Sequence, residues 1–115
     1  MIFNVSSALL DALVLSVAQK SDTYGYKITQ EIRSAIEMSE STLYPVLRRL
    51  LKSDALSSYD REYMGRNRRY YKITPYGSEL LEKYRDEWEN FKERIGDVLN
   101  ESDGGENLEQ TAVFG

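Results

Sequence analysis

STLYPVLRRLL, residues 41–51, has the leucine spacing of a helix with one buried face, yet it carries a proline in its first turns and two adjacent arginines. Leu43, Val46, Leu47, Leu50 and Leu51 recur at helical steps and form the buried face, while Ser41, Tyr44, Pro45, Arg48 and Lys52 lie on the other. Pro45 lacks the N–H a helix interior uses, a small loss near a helix start, where the first N–H groups have no intrahelical partner anyway. A helix that packs on its own domain and also meets DNA needs this division, with leucines behind and small polar and cationic groups in front.

Working outward, Val5, Leu9, Leu13 and Val17 fall four apart with Leu10, Val14 and Ala18 beside them, so a first helix has a broad apolar stripe. KSDTYGYKITQEI (20–32) supplies a break with Asp22 and Thr23 as capping candidates, and Ile28, Ile32 and Ile36 then mark a short second helix. Ser39 or Ser41 caps the third helix, which runs to about Lys52. Downstream, ALSSYDREY (55–63) and RRYYKIT (68–74) read as two strands of a hairpin, joined through MGRN (64–67) with Gly65 and Asn67 as turn formers. Thr74 followed by Pro75 opens a final helix of roughly 25 residues. Along it Leu81, Tyr84, Trp88, Phe91, Ile95 and Val98 repeat at steps of 3, 4, 3, 4, 3, a heptad seam. Residues 101–115 are polar and glycine-containing until their last few positions and are expected to form a flexible tail.

The composition removes many chemistries. With no cysteine and no histidine, disulfides, thiolate zinc sites, cysteine nucleophiles and histidine acid/base or metal chemistry are excluded. Glu79, Glu82, Asp86, Glu89 and Glu93 share one long helix and read as a solvated face rather than a carboxylate pocket, so neither an enzyme nor a cofactor is expected. The apolar start is interrupted by Asp11 and has no preceding basic residue, so it reads as a cytoplasmic helix rather than a secretory signal or membrane span. The 115 residues carry a net charge of -4, unevenly divided. Residues 1–40 hold three basic and five acidic side chains, residues 41–72 eight and three, and residues 73–115 four and eleven. A basic middle between acidic ends suggests one surface that faces a polyanion.

Three short helices followed by a hairpin is the order of a winged helix-turn-helix, whose third helix enters the DNA major groove while the hairpin tip reaches the backbone or minor groove. Ser41, Thr42 and Tyr44 lie near the third helix's N-terminus, where free N–H groups and the helix dipole favour a phosphate, and Arg48 is one turn further along. Arg48, Arg49 and Lys52 alone would be an ordinary solvated face; combined with GRNRR (65–69) they are expected to converge on one DNA-facing side.

On YGYKI (24–28), STLYPVLRRL (41–50), GRNRRYYKIT (65–74) and TPYG (74–77), the chain resembles the PadR family of bacterial and archaeal transcriptional regulators, in particular its short subgroup with one C-terminal helix, over about residues 5–100. The resemblance implies a homodimer built through the first and last helices that binds an inverted-repeat operator, usually as a repressor, some members releasing DNA when an aromatic small molecule binds. It places Tyr24 and Gly25 near the DNA backbone, Ser41, Thr42, Tyr44 and Pro45 in the groove-facing helix, and Gly65, Arg66, Asn67 and Arg68 at the wing tip. Two departures stand out: Ala55 replaces the family's usual glycine after the recognition helix, and Asp60 and Glu62 put acid into the wing.

The expected fold is mainly α with a small β-hairpin, a winged helix-turn-helix plus a long C-terminal dimerisation helix. Residues 1–20 are assigned to the dimer body, 21–74 to the DNA-binding unit, 75–100 to the dimerisation helix and 101–115 to the tail. Leu9, Leu13, Val17, Leu81, Tyr84, Trp88, Phe91, Ile95 and Val98 are the expected dimer interface. Trp88 has two readings: dimer core, or one wall of an aromatic effector site completed by Tyr84, Phe91, Leu9 and Leu13. A winged-helix module that binds protein instead of DNA is the alternative that the overall acidity allows.

Overall fold

The structure, a computed structural model, describes residues 3–100; the tail expected at 101–115 lies outside the described residues. The chain runs α1 (Ser7–Lys20), α2 (Gly25–Arg33), α3 (Glu40–Lys52), β1 (Leu56–Tyr63), β2 (Arg66–Ile73) and α4 (Pro75–Leu99), with the two strands antiparallel. Residues up to Tyr84 form one compact unit and the stretch from Arg85 a second. No helix among the described residues is long and apolar enough to cross a membrane.

Each helix start has a local cause. The Leu9 N–H donates to Ser6 Oγ at 3.2 Å, and the Thr42 N–H donates to Ser39 Oγ at 3.3 Å, so serines cap α1 and α3. The second helix departs from expectation: its cap position is Tyr24, with no side-chain hydrogen bond, and Asp22 and Thr23 are used otherwise. Thr23 pairs in extended form with Tyr71, through backbone bonds of 3.0 and 2.7 Å, which adds one rung to the outer edge of β2. Asp22 accepts a hydrogen bond from the Tyr59 hydroxyl.

The end of α3 explains how the chain dispenses with a glycine there. Asp54, not Ala55, takes the left-handed conformation (φ 70°), the Ala55 N–H donates to Leu50 O at 2.9 Å, and the Asp54 N–H donates to Leu51 O at 3.1 Å. These two bonds are the paired closure of a Schellman cap. Asp54 O then accepts from Thr74 Oγ1 at 2.6 Å, while Thr74 Oγ1 accepts from the Gly77 N–H at 2.9 Å, so one threonine ties the end of α3 to the start of α4. A Cβ on Gly77 would lie 2.1 Å from Ala55 O, so only glycine permits this approach.

In the hairpin, Tyr63 pairs with Arg66 and Leu56 with Ile73, leaving Met64 and Gly65 as a two-residue loop with φ of 53° and 78°. That is the geometry of a type I′ turn, which matches the twist of the flanking strands. Asn67, expected in the turn, is instead a strand residue opposite Glu62.

The core gathers Val14 and Leu15 of α1, Ile28 and Ile32 of α2, the leucine face of α3, and Leu56 and Tyr71 of the hairpin. Thus α1 shares one core with the winged-helix elements. Leu81 and Val17, expected in a dimer seam, are enclosed in this same core and have almost no surface left to bury on a partner. The apolar spacing was real, but the first turns of α4 spend it on their own chain. Trp88, Phe91, Ile95 and Val98 of the second unit remain exposed.

Candidate nucleic-acid interface

Strand periodicity sorts the hairpin into two faces. Directly opposed pairs Tyr59 with Tyr70, Arg61 with Arg68 and Tyr63 with Arg66 alternate with Ser58 with Tyr71, Asp60 with Arg69 and Glu62 with Asn67. The first set is a ladder of tyrosine and arginine. Tyr59 and Tyr70 stack with centroids 5.6 Å apart, Tyr24 meets Tyr70 edge-on at 5.6 Å, and Arg61 lies 5.6 Å from the Tyr70 ring. Arg68 is held between Tyr24 at 3.8 Å and Tyr63 at 3.9 Å, and its Nη1 donates to Tyr70 OH at 3.4 Å. This aromatic clamp, with the Thr23 bridge, fastens the wing to the segment that opens α2.

The hydrogen bond to Asp22, with some burial and the carboxylate's charge, raises the Tyr59 hydroxyl above the usual tyrosine range. Burial does the same for Tyr71, which is enclosed as a strand and core residue. Both phenols therefore stay neutral at ordinary pH and serve packing.

Between α3 and the wing lies a cleft of about 810 Å³. Tyr24, Gly25, Tyr44, Arg48, Arg66, Asn67 and Arg68, all expected at a DNA interface, line it together. Ser41, Thr42, Pro45 and Lys52 are exposed on α3 outside that lining, and Gly65 is at the turn. Ser39 Oγ lies 3.0 Å from Ser41 Oγ and 3.1 Å from Thr42 Oγ1, a run of hydroxyls over the helix start.

The cations do not share one role. Among the described residues, Arg48, Lys52 and Arg66 form no ion pair and are exposed. Arg49, expected to converge with Arg48, instead turns to the other side of α3 and pairs with Asp11 of α1 at 2.5 Å. One helical step of about 100° separates neighbours, enough to divide two consecutive arginines between the two sides. Arg68 is partly enclosed by its tyrosines rather than free at the tip. Asp60, one of the two acids in the wing, is paired with Arg69 at 3.4 Å.

Sequence reasoning missed Tyr63, Tyr26 and Glu40 as lining residues, while Arg69 of the GRNRR run is in the lining. Tyr63 was within reach: a two-residue loop at Met64 and Gly65 places it opposite Arg66 and diagonal to Arg68. Glu40 adds an acidic side chain to the lining.

Comparisons with known proteins agree with this fold. The family model described as the transcriptional regulator PadR-like family matches residues 14–83, more than half of the chain. The fold is similar to the crystal structure of smu.1704 from Streptococcus mutans UA159, with a TM-score of 0.80 and 39% identity, covering 87% of this chain and 94% of that one. A PadR family transcription regulator from Clostridium difficile R20291 matches with a TM-score of 0.73 and 31% identity over 78% of this chain and 97% of that one. Transcriptional regulator Rv3488 of Mycobacterium tuberculosis (strain ATCC 25618 / H37Rv) is 38% identical over 73 residues, 63% of this chain and 68% of that protein. With its winged-helix fold, the matched family model and these relatives, the chain belongs to the PadR-like family of transcriptional regulators.

Proposed function

We propose that this protein is a cytoplasmic, sequence-specific DNA-binding repressor that acts as a homodimer on an inverted-repeat operator. The observation that carries the reading is the cleft shared by α3 and the wing, where Arg48 and Arg66, free of ion pairs among the described residues, face the same space as Tyr44 and Asn67. Tyr44 is suited to base edges in the major groove, Arg48 to a guanine edge together with a neighbouring phosphate, the hydroxyl-rich start of α3 to a phosphate, and Arg66 and Lys52 to flanking phosphates. Homodimerisation is supported by the exposed apolar positions Trp88, Phe91, Ile95 and Val98 of α4, which a second copy would cover. Twofold symmetry then sets the recognition helices about 34 Å apart, one turn of duplex. Trp88 and Phe91, with ring centroids 6.2 Å apart and planes inclined by 33°, offer exposed aromatic faces that an aromatic effector would use.

Footprinting on the DNA upstream of the protein's own gene tests this reading. The expected result is protection of two symmetry-related half-sites about one helical turn apart, lost at high salt. Absence of any protected region at micromolar protein would contradict it.

A further inference from the structure

We infer that Glu40 is a specificity-determining residue, its carboxylate accepting a hydrogen bond from the amino group of a cytosine in the major groove. This rests on the reading of the α3 and wing cleft as the DNA interface. Among the described residues Glu40 is exposed and forms neither an ion pair nor a side-chain hydrogen bond. Yet it lines the same cleft as Arg48, Arg66, Arg68 and Arg69. Arg69 is taken by Asp60 and Arg68 by its tyrosines, so the carboxylate stands in a cationic cleft without being neutralised there.

A carboxylate on a surface that meets phosphates lowers affinity for every duplex, because it repels the backbone that the arginines attract. A general polyanion binder has no use for it. It helps only where a base edge donates a hydrogen bond that competing bases do not offer. In the major groove adenine N6 and cytosine N4 carry the donors, but adenine sets the N7 acceptor beside its amino group, where a carboxylate meets a lone pair. Cytosine is the base that remains.

Glu40, Tyr44 and Arg48 are spaced four apart, so they form one stripe along α3, and all three line the cleft. Ser41 and Thr42, one and two steps of about 100° round the helix, lie outside that lining and are left to a phosphate. At about 1.5 Å per residue, Glu40 and Arg48 stand about 12 Å apart along the helix, roughly three to four base steps of about 3.4 Å. With α3 lying along the groove, a half-site read by this stripe holds a cytosine at the Glu40 end and a guanine about three to four positions away. Glu40 also occupies the first turn of α3, where a negative charge suits the helix dipole. That role asks nothing of the DNA.

The test compares wild type, Glu40→Gln and Glu40→Ala by fluorescence anisotropy on a duplex from the footprinted region. Further duplexes change each half-site base pair in turn, and thermal melts follow the free proteins. Because the side chain is exposed and unpaired, both variants are expected to fold. Wild type is expected to bind at least about 5-fold more weakly when one particular C·G pair is replaced. For Glu40→Ala that penalty shrinks to within about twofold, and unrelated duplex binds more tightly than it does to wild type. Glu40→Gln, whose amide both donates and accepts, turns the preference at that pair toward adenine. Penalties at the other pairs stay as in wild type. If both variants rank the duplexes as wild type does, whatever their melting temperatures, Glu40 serves only the helix start, and the inference is overturned while the DNA-binding reading stands. Folded variants that lose binding evenly at every position overturn it as well. If wild type binds no duplex, the DNA-binding reading itself fails and takes the inference with it.

Discussion

The guanidinium of Arg68 lies 3.8 Å from the centre of the Tyr24 ring, so a wing residue is clamped to the residue that opens the second helix. Tyr63 closes the other side at 3.9 Å, and the planar cation stacks between them. Arg68→Ala is expected to lower the urea midpoint of unfolding, and Arg68→Lys to recover only part of the loss, because an ammonium lacks the flat face that both rings meet. Equal stability of all three would show that the clamp contributes nothing.

Gly77→Ala reverses the usual sign of a glycine replacement in a helix. In an open helix alanine gains about 1 kcal/mol. Here the new Cβ would meet Ala55 O at 2.1 Å, a backbone atom that cannot rotate aside. A loss near the upper end of about 1–3 kcal/mol is expected in chemical denaturation, with a separation of the α3 end from the α4 start.

The Arg49 and Asp11 pair is asymmetric, and its two deletions should differ. Asp11 is 8% exposed and also accepts from Tyr84 OH at 3.4 Å, whereas the Arg49 side chain keeps 44% of its surface. Removing Arg49 strands a nearly buried carboxylate; removing Asp11 releases a guanidinium that can hydrate. Arg49→Ala is therefore expected to cost more than Asp11→Ala, within about 1–3 kcal/mol for each, read from urea midpoints.

Alkaline pH probes the same cluster. Burial, then the charge of Asp11 and their hydrogen bond, raise the Tyr84 hydroxyl above its ordinary value. A raised folded pKa means that the favourable contribution is complete below the unfolded value of about 10 and is lost as pH rises through the folded one. Wild type should thus lose stability above that pH more steeply than Tyr84→Phe. Parallel melting curves against pH would refute the assignment.

Much of this fold was legible because its signals are local. Thr74 and Pro75 announce α4, Ser39 caps α3, and the leucine spacing of α3 separates its buried and forward sides within a few residues of sequence. What could not be read depends on partners distant in the chain. Arg49 and Arg48 look alike until Asp11 of α1 claims the former, and Arg68 looks like a free wing cation until Tyr24 arrives beside it. Leu81 fits a heptad register as well as it fits the core, and periodicity alone does not say which neighbour a helix face meets. The cap of α2 was misplaced because the extended pairing of Thr23 with Tyr71 overrides its local capping preference.

The most direct measurement is the salt dependence of binding to operator DNA for wild type, Arg48→Ala, Arg66→Ala and Arg49→Ala. If α3 and the wing form the DNA surface, affinity falls steeply with salt. Arg48→Ala and Arg66→Ala each then flatten the slope by about 0.9 for every phosphate they no longer neutralise, while Arg49→Ala leaves it unchanged. Identical slopes for all four proteins, or binding insensitive to salt, would contradict the account.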